Sequence, residues 1–148
     1  MKLKAVIEIP RGSNRRIHLA YDKSGFVDLG PIAEAIPVNN GVMPVAYGYL
    51  ENTFNHQEKD NEDVLVFSTR NFKTGEAVSV EAFGLLRRAD LDHKVLAHDD
   101  TVDFQSWSAV PVDLQKLIIE YFGFKHPIEA IEDAAFAQEY IQQSWQEG

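Results

Sequence analysis

The chain has no cysteine and no long apolar segment. Without cysteine it can have no disulfide framework, no thiolate metal site and no thiol nucleophile. No apolar run approaches the roughly 18 residues of a membrane-spanning helix, and residues 1–4 lack the apolar core of a signal peptide. The sequence therefore predicts a cytoplasmic protein with no membrane partner.

Positive charge is also scarce. The 148 residues include 14 Lys and Arg against 23 Asp and Glu, which gives a formal net charge of −9. Such a surplus repels nucleic acid unless a local basic face overrides it, so a nucleic-acid binder is only a minor alternative. The apolar content of 45% and aromatic content of 11% are typical of a globular protein, and we expect one domain over residues 1–148.

The hydrophobic period changes along the chain. Residues 2–9 alternate as a half-buried strand does, and residues 64–67 are the β-branched and aromatic run of a buried strand. The strand that contains this run is predicted at 63–68, and further strands at 15–21, 26–29, 46–50, 77–86 and 95–97. Helices are predicted at 111–122 and 128–145. Strands followed by helices favour an α+β, mostly β fold, which is a small barrel or sheet with helices on one side. Closure into a barrel is favoured because a closed barrel has no exposed strand edges.

Carboxylates occur at strand ends in three places: Glu8; Glu58, Asp60 and Asp63; and Asp90 and Asp92. An extended backbone would point Glu58 and Asp60 the same way, and Asp63 joins them if the chain turns at residues 61–62. In a closed barrel the three places can converge at one rim and bind Mg²⁺, Mn²⁺ or Ca²⁺. The alternative for each place is a solvated acidic surface.

Such a group of carboxylates suits phosphate chemistry. Two divalent ions a few ångströms apart would stabilise an in-line attack on phosphorus and generate hydroxide near neutral pH. Arg16 and Lys94 could balance the charge of the phosphate.

Five segments, in order along nearly the whole chain, resemble the family I soluble inorganic pyrophosphatases. Residues 6–14 are similar to the opening pattern IEIPxGS, and residues 58–64 to the signature D-x-D-P-x-D-V. The other three segments are residues 37–41, which resemble the YPxNYG loop, residues 84–94, which resemble a shortened GVLxMxDxxxxDxK stretch, and residues 124–125, which stand where the family has Tyr-Lys after a helix.

The resemblance implies both a fold and an activity. The fold is a five-stranded OB-like barrel with flanking helices, two of them C-terminal. The activity is Mg²⁺-dependent hydrolysis of pyrophosphate to two phosphates by metal-activated water, with Mn²⁺ as a possible substitute and no covalent intermediate. Bacterial members are commonly hexamers, so the resemblance also implies a homo-oligomer.

Site residues follow from the resemblance position by position. Asp60 matches the aspartate that takes a proton from the attacking water. Lys94 and Lys125 match lysines that contact phosphate, and Arg16 stands at a lysine that does the same. The residues that match metal-site acids are Glu8, Glu58, Asp60, Asp63, Asp90 and Asp92.

The chain also departs from the family pattern. His18 replaces a glutamate, Leu29 an arginine, Ile36, Asn40 and Phe124 three tyrosines, and Glu58 an aspartate. Most of the metal ligands are kept, but several of the residues that contact phosphate are replaced. This predicts weaker binding of the substrate and slow turnover. The alternatives are a non-catalytic metal- or phosphate-binding member of the family and a hydrolase of a different phosphoanhydride.

Overall fold

The computed structural model describes residues 2–146, which form eight β-strands and two α-helices. They are β1 (Lys2–Ile9), β2 (Arg15–Leu19), β3 (Phe26–Pro31), β4 (Ala46–Leu50), β5 (Asp63–Phe67), β6 (Ala77–Arg88), β7 (Lys94–His98), α1 (Val112–Phe122), β8 (Ile128–Glu132) and α2 (Ala134–Gln143). Short 3-10 turns lie at Ile32–Glu34, Val38–Gly41 and Trp107–Ala109. Neither helix has the length and apolar content needed to cross a membrane.

Five strands close into a barrel. Their order is β1-β4-β5-β7-β6, with β6 pairing back to β1, and β8 adds to β6. The pairs are antiparallel except β5 and β7, which run parallel. Strands β2 and β3 form a separate antiparallel hairpin. The predicted mostly β fold with a closed barrel and two C-terminal helices is confirmed.

Strand β5 is buried on both of its faces. Val64 and Val66 pack in one apolar cluster together with Ile141 of α2. Leu65 and Phe67 pack in a second cluster that includes the buried face of α1. Because neither face meets water, β5 has an unbroken apolar sequence instead of an alternating one. Its first residue, Asp63, is therefore held at the end of a rigid element.

The predicted second helix is wrong in its first part. Residues 128–132 form strand β8, which pairs with residues 85–88 of β6, and the helix begins only at Ala134. Strand β6 is long, and the backbone groups of its outer half need a partner that only a strand can supply. The Asp133 carboxylate caps α2 by accepting a hydrogen bond from the Phe136 N–H at 2.9 Å.

A bulge in β1 directs Glu8 into the site. The register between β1 and β4 shifts between Ile7 and Ile9, so Glu8 is the extra residue. On the opposite strand, a Cβ at Gly48 would lie 1.9 Å from the Val6 carbonyl oxygen, so this close approach requires glycine. Glu8 is consequently only 4% exposed.

Candidate active site

The acidic loop between β4 and β5 is shaped by Asn55. Its N–H donates to the Asp60 carbonyl at 2.6 Å, and its side-chain oxygen accepts from the Glu58 N–H at 3.1 Å. The chain turns at residues 56–59, where Lys59 has a φ of +57°. The predicted extended backbone from Glu58 to Asp60 is therefore wrong, because the turn comes before Asp60 instead of at residues 61–62.

Lys94 is the cation at the centre of the site. The parallel register of β5 and β7 places Lys94 opposite Asp63, and its Nζ lies 2.7 Å from Asp63 Oδ2 and 3.1 Å from Asp92 Oδ2. The same ammonium donates to the Tyr47 hydroxyl at 2.9 Å. Burial works against the charged form, but Asp63, Tyr47 and Asp92 outweigh it and raise the pKa of Lys94. Lys94 is thus a permanent positive charge among the acids.

Arg88 binds the second pair of acids. Its Nη2 lies 3.1 Å from Asp90 Oδ2 and 3.2 Å from Asp92 Oδ2. The Asp92 N–H donates to Asp90 Oδ1 at 3.1 Å, which fixes the short loop between β6 and β7. Burial raises the pKa of Asp92, but Lys94, the hydrogen bond with Asp63, and Arg88 together lower it below its ordinary value.

His18 connects the acid of β1 with the acidic loop. Its Nδ1 lies 3.3 Å from Glu8 Oε2 and its Nε2 lies 3.5 Å from Asp60 Oδ2. The Leu19 N–H donates to Glu8 Oε2 at 2.8 Å. Burial raises the pKa of Glu8 to about 7, Asp63 and Asp60 add to the rise, and the Leu19 N–H and His18 oppose it.

The carboxylates of the three segments influence one another electrostatically. The charges of Asp60 and Asp63 raise the pKa of Glu8, and burial together with Asp92 raises the pKa of Asp63 against the opposing effect of Lys94. Glu58 is exposed overall, but the partial loss of hydration of its carboxylate raises its pKa, and the charge of Asp92 raises it further. The six predicted acids therefore lie in one region of the molecule.

The three predicted phosphate-binding cations lie in two different environments. Lys94 lies inside the acidic group, whereas Arg16 and Lys125 are exposed and have no ion-pair partner within residues 2–146. Lys23, which the sequence did not single out, lies 3.4 Å from Asp60 Oδ1. Both exposed cations are available to an anionic ligand.

The acids fit a divalent cation on one side of the site. Glu8, Asp60 and Asp63 offer only hard oxygen donors, and the raised pKa values of Glu8 and Asp63 come in part from neighbouring carboxylates, a repulsion that such an ion would relieve. Over residues 2–146, no three of these side chains are already in a ligating arrangement. On the other side, the Arg88 guanidinium already contacts Asp90 and Asp92, and Glu58 is affected mainly by these two acids.

The sequence does not assign a site role to four side chains that the structure places here: Arg88, Tyr47, Lys23 and His18. Arg88 ends a largely apolar strand at the methionine position of the family pattern, which was a visible signal. Tyr47 is recognised only from its hydrogen bond to Lys94. His18 was identified as a replacement, but its position between Glu8 and Asp60 depends on the β2–β3 hairpin and carries no local signal.

Fold and site together define a small β-barrel protein with a carboxylate-rich centre. Residues 5–147 match the family model described as inorganic pyrophosphatase. The inorganic pyrophosphatase of Campylobacter jejuni is 31% identical over 99 residues, which is 65% of this chain and 54% of that protein. The chain is thus aligned with only about half the length of this curated relative.

Solved structures agree with this family. The inorganic pyrophosphatase of Ehrlichia chaffeensis is 25% identical with a TM-score of 0.85, and the alignment covers 97% of this chain and 92% of that one. The inorganic pyrophosphatase of Thermus thermophilus shares the fold at 22% identity with a TM-score of 0.81, over 97% and 88% of the two chains. The chain belongs to the inorganic pyrophosphatase family, as its sequence resemblance indicated.

Proposed function

We propose that the chain hydrolyses inorganic pyrophosphate to two phosphates in the presence of Mg²⁺, with Mn²⁺ as a substitute. The observation that supports this most strongly is the gathering of acids from separate segments around one ammonium. Asp63 of β5 and Asp92 of the β6–β7 loop both contact Lys94, while Glu8 and Asp60 are linked through His18. Family membership makes phosphoanhydride hydrolysis the natural use of this group.

Asp60 is the proposed general base. Its side chain is 18% exposed, its Oδ1 accepts from the Asn61 N–H at 2.8 Å, and Lys23 lies beside it. A carboxylate held in this way can accept a proton from a water molecule. Glu8, Asp60 and Asp63 would hold Mg²⁺, which would supply charge neutralisation and activation of that water.

The proposed cations for the substrate are Lys94, Lys125 and Arg16. Lys94 is committed to two carboxylates, so much of its charge is already balanced before a phosphate arrives. Arg16 and Lys125 are exposed and have no ion-pair partner within residues 2–146. Two exposed cations hold a phosphate less firmly than several preorganised donors, since each must be ordered when the substrate binds.

A weakened grip on pyrophosphate is the second part of the proposal. Leu29 is 57% exposed on β3 and Phe124 is 52% exposed after α1, and neither side chain can donate a hydrogen bond. Each missing donor leaves a phosphate oxygen to water, which raises the barrier of the reaction more than it weakens ground-state binding. Joint replacement of Leu29→Arg and Phe124→Tyr should therefore raise kcat for pyrophosphate about tenfold or more. Ile119→Leu is the neutral control and should leave kcat unchanged. An unchanged kcat in the double variant as well would argue against a weakened grip on pyrophosphate.

A pocket beside Asp60 favours a second candidate substrate. It has a volume of about 390 Å³, and its lining includes the aromatic rings of Tyr21 and Phe54 and the cations Lys23 and Lys59. Aromatic faces next to ammonium groups suit a phosphoanhydride that carries an organic group. The second candidate is therefore hydrolysis of such a compound at the same acids.

A phosphate-release screen separates these possibilities. Wild type and Asp60→Asn are compared on pyrophosphate, tripolyphosphate and nucleoside triphosphates, with Mg²⁺ and with Mn²⁺. Release from pyrophosphate that is lost in Asp60→Asn supports the first candidate, and faster release from nucleotides supports the second. If no substrate gives release above the Asp60→Asn level, the protein is a non-catalytic member of the family.

A further inference from the structure

Arg88 is built into the site by backbone contacts as well as by acids. Its side chain is 10% exposed at the end of β6. The Nε donates to the Asp92 carbonyl at 3.1 Å, and the Nη1 donates to the Phe122 carbonyl at the end of α1 at 3.2 Å. These two bonds fix the plane of the guanidinium, so its position does not depend on the carboxylates alone.

The remaining nitrogen, Nη2, lies between two carboxylates. It is 3.1 Å from Asp90 Oδ2 and 3.2 Å from Asp92 Oδ2. Asp92 Oδ2 also accepts from Lys94 at 3.1 Å, and Asp90 Oδ1 accepts from the Asp92 N–H. Both oxygens of Asp90 and one oxygen of Asp92 are thus already hydrogen-bonded to donors of this chain.

Two departures from the family pattern occur together here. In the stretch GVLxMxDxxxxDxK, a methionine stands at the position of Arg88, and four residues separate the two acids. In this chain a single residue, Leu91, separates Asp90 from Asp92, and it adopts a φ of +67° in the tight turn. The shortened turn brings both carboxylates to the same side of β6, where the arginine meets them.

We propose that the guanidinium of Arg88 takes the place of one divalent cation at Asp90 and Asp92. Metal ions then bind only on the side of Glu8, Asp60 and Asp63. This inference rests on the proposed function, because it assigns the number and position of the ions that the proposed hydrolase uses.

The chemistry of arginine supports this replacement. The guanidinium keeps its charge at every pH that a folded protein tolerates, and its planar donors match two carboxylates. A metal ion at Asp90 and Asp92 would have to displace the two hydrogen bonds from Arg88 Nη2 and lie next to this fixed cation, which forms no ion pair with Glu8, Asp60 or Asp63 within residues 2–146. That repulsion weakens binding of a divalent ion at this pair of acids.

Counting bound ions tests the inference. Mn²⁺ is titrated into the metal-free protein without substrate, and free Mn²⁺ is measured by electron paramagnetic resonance. Arg88→Met restores the residue of the family pattern and should bind one more Mn²⁺ per chain than wild type. Arg87→Met is the matched control, since Arg87 pairs with Glu129 and Glu132 on β8 and should leave the count unchanged.

A second variant pair keeps the test decisive if Arg88→Met folds poorly. In the wild-type background Asp90→Asn should change Mn²⁺ affinity by less than about twofold, whereas Asp63→Asn should weaken it by about tenfold or more. The inference is overturned if Arg88→Met folds and binds no additional ion, or if Asp90→Asn weakens binding as much as Asp63→Asn does. A wild type that binds Mn²⁺ in this way but releases no phosphate would contradict the proposed function and leave the inference standing.

Discussion

Glu8 is a carboxylate that the fold buries almost completely, and its protonation links stability to pH. The bulge in β1 turns it inward, and the Leu19 N–H and His18 only partly offset the loss of hydration. Asp60 and Asp63 add negative charge nearby. Ionising Glu8 in the folded protein without metal is therefore unfavourable.

The pKa of Glu8 rises from 4.5 to about 7 on folding. The native state binds this proton more tightly than the unfolded state does, so the contribution of Glu8 is fully present below pH 4.5 and is lost as pH rises through 7. In the presence of a chelator, the free energy of unfolding of wild type should fall between pH 5 and pH 8, by on the order of 2 kcal/mol relative to Glu8→Gln. Urea unfolding at both pH values measures this.

The control removes a charge elsewhere. Glu139→Gln, on the exposed face of α2, should keep the wild-type pH dependence. Equal pH dependence in wild type and Glu8→Gln would show that Glu8 ionises normally in the folded protein.

At the scale of elements, the sequence predicts those strands whose own hydrophobic pattern determines them. Strands β1, β4 and β5 are predicted from their own alternation or apolar runs, and the sequence also predicts that the acids lie at the ends of strands. Strand β8 is not predicted because Ala130 and Ala134 continue the helical spacing of Ala137, and only the free edge of β6 decides between the two structures. The turn at Lys59 and the contacts of Arg88 likewise depend on partners that are distant in sequence.

Helix α2 supports the acidic loop through a buried hydrogen bond. The Tyr140 hydroxyl donates to Glu62 Oε1 at 2.8 Å, and Glu62 is only 2% exposed. Tyr140→Phe removes the donor and leaves a buried carboxylate oxygen poorly satisfied, so it should cost about 1–3 kcal/mol of unfolding free energy. Chemical denaturation measures the loss.

Two further variants make this prediction specific. Tyr49→Phe on β4 removes a hydroxyl that has no hydrogen-bond partner within residues 2–146, and it should cost less than about 0.5 kcal/mol. In a double-mutant cycle, Glu62→Leu, which removes both acceptor oxygens, should remove most of the effect of Tyr140→Phe. Additive costs of the two substitutions would mean that this bond does not couple α2 to the loop.

At the scale of the whole molecule, we propose that the chain assembles into a homo-oligomer. Val112 and Ile119 of α1 and Phe136 of α2 are apolar and exposed. Light scattering at micromolar concentration should give a mass of two or more 16.7 kDa chains. Ile119→Glu should lower this mass if α1 lies in the contact, whereas Glu120→Gln should leave it unchanged. A wild-type mass of one chain would refute assembly.

Turnover of pyrophosphate as a function of Mg²⁺ concentration tests the central claim most directly. Metal-free wild type should release phosphate only after Mg²⁺ is added. The proposed loss of phosphate-binding donors should keep its saturating rate below the order of 10² s⁻¹ expected of an efficient enzyme. Asp60→Asn should abolish that release, and Glu139→Gln should retain it. Release that is independent of Mg²⁺, or that Asp60→Asn retains in full, would contradict a metal-dependent site built on these acids.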